Sequence, residues 1–206
     1  MLLGRGAAAA TGTLFGAQAQ GDSAIAIGTG SNAIGNNSVA LGQSSTASGT
    51  NSFAGGFAAN AMGASAVALG DTAQATQAGA IAIGLNSAST GVNSIAIGTS
   101  AVATGSVAVG FAASAANGGA AFGDNTVATG SNSLALGTGA SATNANASAI
   151  GNGATTTRDN QVVIGTTSNT YTTPGVVTNA SIAAQSGPLS VVTTDPNGNL
   201  AQIEAQ

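Results

Sequence analysis

The chain is 206 residues long, with 32 glycines, 4% charged residues, two Lys+Arg against six Asp+Glu, and neither cysteine nor histidine. That composition excludes disulfides, thiol chemistry, Cys/His zinc sites and the commonest general base, and it leaves no electrostatic basis for binding nucleic acid or an anionic membrane. No apolar run approaches the ~20 residues that span a bilayer, and the ordinary, strictly periodic apolar content separates the chain from a disordered one.

The N-terminal stretch admits two readings. Met1 to Ala19 has the outline of a signal peptide, with Ala17-Gln18-Ala19 resembling a cleavage site. The repeat gives a simpler account: Ala17-Gln18-Ala19-Gln20-Gly21 ends seven residues before Gly28, and Ala8-Ala9-Ala10-Thr11-Gly12 reads as another polar half-coil. The chain is therefore expected to start inside a longer repeat array, with the repeat domain running over residues 1–165.

Glycine then recurs every seven residues, at Gly28, Gly35, Gly42, Gly49, Gly56, Gly63 and Gly70. After a gap at Gln77 it returns at Gly84, Gly91, Gly98 and Gly105, and later at Gly123, Gly130 and Gly137. A fixed period points to a stacked repeat fold. Alternate glycines close different segments, as in Ser94-Ile95-Ala96-Ile97-Gly98 and Ala101-Val102-Ala103-Thr104-Gly105. The unit is thus about fourteen residues, and the predicted fold is an all-β solenoid.

Four and two residues before each glycine the side chain is small in both halves, as at Ser38/Ala40 and Ser45/Ala47. Alternate strand side chains point to opposite faces, so these residues are expected to line a narrow interior. Three and one residues before the glycine, the halves diverge. One half carries an apolar ladder that begins with Ile25/Ile27, Val39/Leu41 and Val67/Leu69 and continues through Ile81/Ile83 and Ile95/Ile97. Val107/Val109 and Leu134/Leu136 follow, and Phe53, Phe122, Ile150, Val162 and Ile164 fall in the same columns. The other half is mostly polar there, as at Thr46/Ser48, Gln74/Thr76 and Ser141/Thr143.

Such a ladder is too large to stay exposed. About a dozen coils at ~4.8 Å give a stripe of roughly 50 Å by 15 Å, on the order of 700 Å². That exceeds the contiguous apolar surface a soluble monomer tolerates. Burying two such side chains per coil at ~1.5–3 kcal/mol each would dominate the energetics. An obligate homo-oligomer packed through these nineteen residues is expected, and the residues alone leave two or three copies open.

The segments Asn37-Ser38-Val39-Ala40-Leu41-Gly42, Asn93-Ser94-Ile95-Ala96-Ile97-Gly98 and Asn132-Ser133-Leu134-Ala135-Leu136-Gly137 resemble the head repeats of YadA-like trimeric autotransporter adhesins. The resemblance covers roughly residues 7–165. It implies a left-handed parallel β-roll, three chains around a common axis, and attachment to surfaces. It also implies a coiled-coil stalk and an outer-membrane barrel anchor, whose patterns do not occur in the last 40 residues.

Two coils are irregular: Gly105 to Gly110 is two residues short, and Gly110 to Gly123 is one short of the expected spacing. Phe111 lies in this stretch and is expected to cover a small gap. Asp22, Asp71, Asp124 and Asp159 each follow a repeat-glycine position. Asn36, Asn152 and Thr99 share that column, so these carboxylates read as turn residues and not as an acid–base or calcium cluster.

The pattern fails at Arg158, which takes a glycine column, and in Gln161 and Val163, which take small positions; the roll is expected to close there. All three prolines follow, so residues 166–206 form a separate connector. Within it, 188–194 and 199–203 flank Asp195-Pro196-Asn197-Gly198, a β-hairpin signal. Tyr171 and Val176-Val177 are expected to pack under the last coil.

The function these features suggest is non-enzymatic: the head of a trimeric surface adhesin that needs no cofactor or metal and inserts into no membrane. Its partners would be copies of itself and an extracellular-matrix protein or a host or abiotic surface, with autoaggregation as a further outcome. Two other readings compete. Thr76, Thr90, Thr104, Thr129, Thr143 and Thr157 form a partial threonine column suited to an ice-binding solenoid, although the neighbouring column is mixed. A phage-type or secreted fibre would use the same roll without an anchor.

Overall fold

The computed structural model describes residues 2–3, 16–185 and 190–204, so the half-coil expected at Ala8 to Gly12 and most of the signal-like segment lie outside the described residues. The chain divides into two units, Met1–Ser168 and Asn169–Gln206.

The first unit is a parallel β-solenoid. Each coil contributes a three-residue strand to one sheet and a two-residue strand to the other. The first sheet runs from Ile25–Ile27 to Val162–Ile164, and the second from Gln18–Ala19 to Ser141–Ala142. Successive strands pair in parallel with a fourteen-residue offset, as when Ile81 pairs with Val67 and Ile95. The offset shortens to twelve and thirteen around Val107 and Ser114, and Leu2–Leu3 runs antiparallel to Ile25–Ile27 at the end of the first sheet.

The corners explain the seven-residue period. In Gly84-Leu85-Asn86-Ser87, Asn86 sits at φ 55°, and the Ser87 amide and hydroxyl both donate to the Gly84 carbonyl, at 3.2 and 2.9 Å. Asparagine tolerates the left-handed conformation better than most residues, and it recurs there at Asn37, Asn51, Asn93, Asn125, Asn132, Asn146 and Asn160. The corner glycines are of two kinds. Those closing first-sheet strands, such as Gly84 at φ +128°, adopt a conformation closed to other residues. Those closing second-sheet strands, such as Gly63, have no positive φ, but a Cβ there would run into the Gln77 carbonyl of the next coil. Only the second column takes Gln77, Asn144 and Arg158 in place of glycine.

The interior is built from alanine and serine, as the sequence predicts. Ala26, Ala40, Ala82, Ala96 and their counterparts are fully buried, together with Ser31, Ser38, Ser45, Ser87, Ser89 and Ser94. Ser89 and Ser94 bond through their hydroxyls at 2.6 Å, and Ser94 also donates to the Gly91 carbonyl at 2.8 Å. Most of these hydroxyls are satisfied by a carbonyl one corner away, as Ser31 is by Gly28, Ser45 by Gly42 and Ser87 by Gly84, whereas the buried Ser38 and Ser133 hydroxyls have no partner.

The two short coils lose their residues at one kind of corner. Five residues separate Ala88–Ser89 from Ile95–Ile97, but three separate Val102–Ala103 from Val107–Val109, and four separate Ser114–Ala115 from Ala120–Phe122. Strand register survives: Ile95 pairs with Val107, and Val107 with Ala120.

At the end of the roll, Val162–Ile164 pairs with Ser148–Ile150. Val163 packs against the alanine core as a larger plug, and the Gln161 side-chain carbonyl accepts the Thr157 amide at 2.8 Å. Both residues depart from the small side chains of the repeat at the last strand of the first sheet.

The second unit holds more than the hairpin the sequence signals. A 3-10 turn at Pro174–Val177 leads into a short helix, Asn179–Ala183, capped by Thr178, whose hydroxyl accepts the Ser181 amide at 3.1 Å. Proline at the start and threonine at the cap are the local signals for this turn. Within this unit Tyr171 and Val176 are exposed, and the Val177 side chain lies outside the described residues. The hairpin pairs Ser190–Thr194 with Leu200–Glu204 in antiparallel register.

Candidate functional site

The parallel register carries the sequence-derived ladder residues onto one face. One column runs Ile25, Val39, Phe53, Val67, Ile81, Ile95, Val107, and later Leu134 and Val162. The other runs Ile27, Leu41, Leu69, Ile83, Ile97, Val109, Phe122, Leu136, Ile150 and Ile164. Register also places Gly55, Ala120 and Ser148 in these columns. Counting fourteen residues from Leu41 would have found Gly55.

This face is open in the single chain. Leu41, Leu69 and Leu136 are 44–45% exposed, and the terminal Val162 and Ile164 exceed half. The first column is half-buried along most of its length because each side chain rests on its neighbours one coil away. Phe53 leans across its own strand: a Cβ on Gly55 would meet its ring at 2.8 Å.

The second sheet presents a different surface. Thr46, Asn60, Gln74 and Ser141 alternate with scattered apolar residues, of which Ile34, Met62 and Val102 are exposed. Thr76, Thr90 and Thr104 follow one another on successive coils, then Ala116 interrupts the threonine column before Thr129 and Thr143.

The corners carry a third set, which sequence reasoning saw only in part. Phe57, Leu85 and Phe111 each follow a first-sheet glycine and are about half exposed. Phe111 therefore belongs to a regular column of corner residues. It covers no gap, because the shortened corners lie on the other side of the roll.

The carboxylates act between coils. Asp124 Oδ1 accepts the Phe111 amide at 2.8 Å, Asp159 Oδ1 accepts the Ala145 amide at 2.9 Å, and Asp71 Oδ1 accepts the Phe57 amide at 3.4 Å. Asn36 Oδ1 does the same for the Asp22 amide at 3.0 Å. Asparagine ladders stitch neighbouring corners: Asn37 donates to Asn51, and Asn146 to Asn160, both at 3.2 Å. The turn reading stands, but the bonds reach the preceding coil and not the residue's own turn. Among the described residues no three acidic, histidine or cysteine side chains gather as a metal site. No helix among them is long and apolar enough to cross a membrane.

In the connector, Asp195 organises the hairpin tip. Its Oδ1 accepts the amides of Asn197 and Asn199, both at 2.9 Å, and its Oδ2 accepts the Asn199 side-chain amide at 2.8 Å. The Asn199 side chain, followed by its backbone amide, holds this carboxyl below its ordinary pKa.

A family model described as the YadA head domain repeat matches residues 15–31, 33–59, 61–87, 89–106 and 116–140. The unmatched stretch after 106 coincides with the short coils, and the sheet continues past 140 to Ile164. Among solved structures, the collagen-binding domain of the Yersinia adhesin YadA is 31% identical over 74% of this chain and 72% of its own, with a TM-score of 0.38. A search of curated proteins returned no significant match.

Proposed function

The chain belongs to the YadA head-repeat family, and from that premise we propose that it is the head of a trimeric bacterial adhesin displayed at the cell surface. Three copies pack through the Ile/Val/Leu ladder, and their second sheets and corners face outward. The head carries out no chemistry of its own. It attaches to extracellular-matrix protein or another surface through many shallow polar contacts, each weak and multiplied by three-fold and multi-copy avidity.

The observation that carries this reading is the opposition of the two sheets: an apolar ladder half open to solvent on one, a mostly polar, nearly uncharged surface on the other. A single roll gains nothing from that asymmetry, whereas an assembly buries the first face and leaves the second free. In the folded head the ligand meets neutral hydroxyl and amide groups, so binding is expected to depend little on salt.

Two measurements on the purified chain test this together. Sedimentation should give a trimer at micromolar concentration. Solid-phase binding to a panel of matrix proteins, with collagen first because the Yersinia domain is described as binding it, should give saturable, salt-insensitive attachment. Autoaggregation of cells displaying the head is the third arm. A monomer in sedimentation overturns the assembly, and a trimer that binds no member of the panel and causes no aggregation overturns the adhesive role.

A further inference from the structure

Along the ladder, the two columns trade volume coil by coil. Most levels carry two side chains of similar size, such as Val67/Leu69 and Ile95/Ile97. Three levels break the pattern: Ser148 stands beside Ile150, and two others set a phenylalanine beside a small residue, in opposite senses. Phe53 stands beside Gly55, with the bulk in the first column and none in the second. Ala120 stands beside Phe122, with the bulk in the second column and little in the first. In the single chain the Phe53 ring leans toward the vacant side.

A repeat array has a particular problem when it assembles with itself. Sliding one copy by a single coil, ~4.8 Å, brings one Val/Leu or Ile/Ile level against another of nearly the same shape. Register is weakly specified in such an arrangement unless something marks it. In a cyclic assembly the contact is heterologous: the first column of one copy meets the second column of the next. In register, Phe53 of one copy then faces Gly55 of its neighbour, and Phe122 faces Ala120. Shifted by one coil, Phe53 meets Leu41 or Leu69, and Phe122 meets Val107 or Leu134.

We propose that the Phe53/Gly55 and Ala120/Phe122 levels are register keys, which admit a second copy of this chain on the ladder at zero axial offset and obstruct it one coil away. The occupant is a second copy because the ladder's area, on the order of 700 Å² per chain, is close to the ~800 Å² per partner of a stable interface. It is also apolar at every level but the serine of Ser148/Ile150, and it shows the volume compensation that an identical partner would need. The inference rests on the assembly reading above and adds how its register is chosen.

The chain contains no cysteine, so introduced thiols report register directly. Two differently tagged chains are co-expressed, one carrying Ile95→Cys and the other Ile97→Cys, which is in register, or Ile83→Cys or Val109→Cys, which are offset by one coil. The mixed disulfides formed on mild oxidation are counted by mass spectrometry. In the otherwise native head the 95–97 adduct should dominate. Erasing both keys with F53V/G55L and A120V/F122V, which rebuilds ordinary apolar levels, should raise the offset adducts about tenfold or more relative to it. F53V/G55L alone should give a smaller rise, and sedimentation and circular dichroism confirm that each variant still folds and assembles. An unchanged adduct ratio in an intact oligomer overturns the keys alone. A native head that sediments as a monomer overturns them together with the assembly.

Discussion

The ring of Phe53 lies over Gly55, its Cε1 atom 2.8 Å from where a Cβ on that glycine would stand, while Leu69 Cδ1 comes within 3.0 Å of the same point. An aromatic side chain thus fills the space that Leu41 and Leu69 fill for themselves on the neighbouring coils. Truncating it, Phe53→Ala, should leave a gap in the ladder. The expected cost is about 1–3 kcal/mol, below that of a fully buried phenylalanine because the ring is only half-buried. Chemical denaturation of the purified head measures it. F53V/G55L, which copies the Val/Leu pairs on either side, should return to within about 1.5 kcal/mol of the native protein.

The ladder's role in assembly has a simple probe. Ile95→Asp with Ile97→Asp places two carboxylates per chain on the apolar face while leaving Ala96 in the interior untouched. Buried unpaired charge is strongly unfavourable, so the proposed trimer should come apart. Sedimentation velocity should show a monomer, with the β-sheet signal in circular dichroism retained. The matching change on the polar sheet, Thr76→Asp, should leave the oligomer intact.

The two glycine columns should respond differently to substitution. Gly84→Ala forces a side chain into φ +128° and brings its Cβ within 2.6 Å of the Gly98 carbonyl. A strained residue of this kind costs about 1–3 kcal/mol before the clash is counted. Gln77→Ala, in the other column at a position that already holds a side chain, should stay within about 0.5 kcal/mol. Denaturation midpoints of the two variants, measured side by side, decide whether the columns are distinct.

The corner carboxylates are hydrogen-bond acceptors for the coil before them, and their charge is incidental to that task. Asp124→Ala removes the acceptor for the Phe111 amide and should cost about 0.5–1.5 kcal/mol. Asp124→Asn keeps a carbonyl oxygen in place, as Asn36 does for the Asp22 amide, and should restore most of the loss. Equal stability for the alanine and asparagine variants would show that the bond contributes nothing.

Much of this was legible in the sequence because a strict period converts residue spacing into position. The interior of Ala26, Ala40 and Ala96 and the ladder around Ile81 and Ile95 follow from counting back from each glycine. Three things did not follow. Counting treats Gly84 and Gly63 alike, whereas one is fixed by its backbone torsion and the other by the next coil's carbonyl. Phe111 lies beside the irregular spacing in the sequence, but sequence order does not say which corner absorbs a deletion. The Thr178-capped helix is too short to leave a periodic trace in the sequence.

The hairpin tip supplies the pH dependence. Asp195 accepts three hydrogen bonds in its ionised form, chiefly from Asn199, and its pKa is lowered accordingly. A carboxyl whose folded pKa lies below its unfolded value stabilises the tip above the unfolded value, and that contribution is lost as pH falls through the folded one. The amides of Asn197 and Asn199, followed by nuclear magnetic resonance, should therefore keep their positions through the range where an ordinary aspartate titrates and move only at lower pH. Asp195→Asn should abolish that transition while keeping part of the geometry, since one carbonyl oxygen remains to accept the two backbone amides. Amides that move together with ordinary aspartates would show that the bonds to Asp195 do not hold the tip in solution.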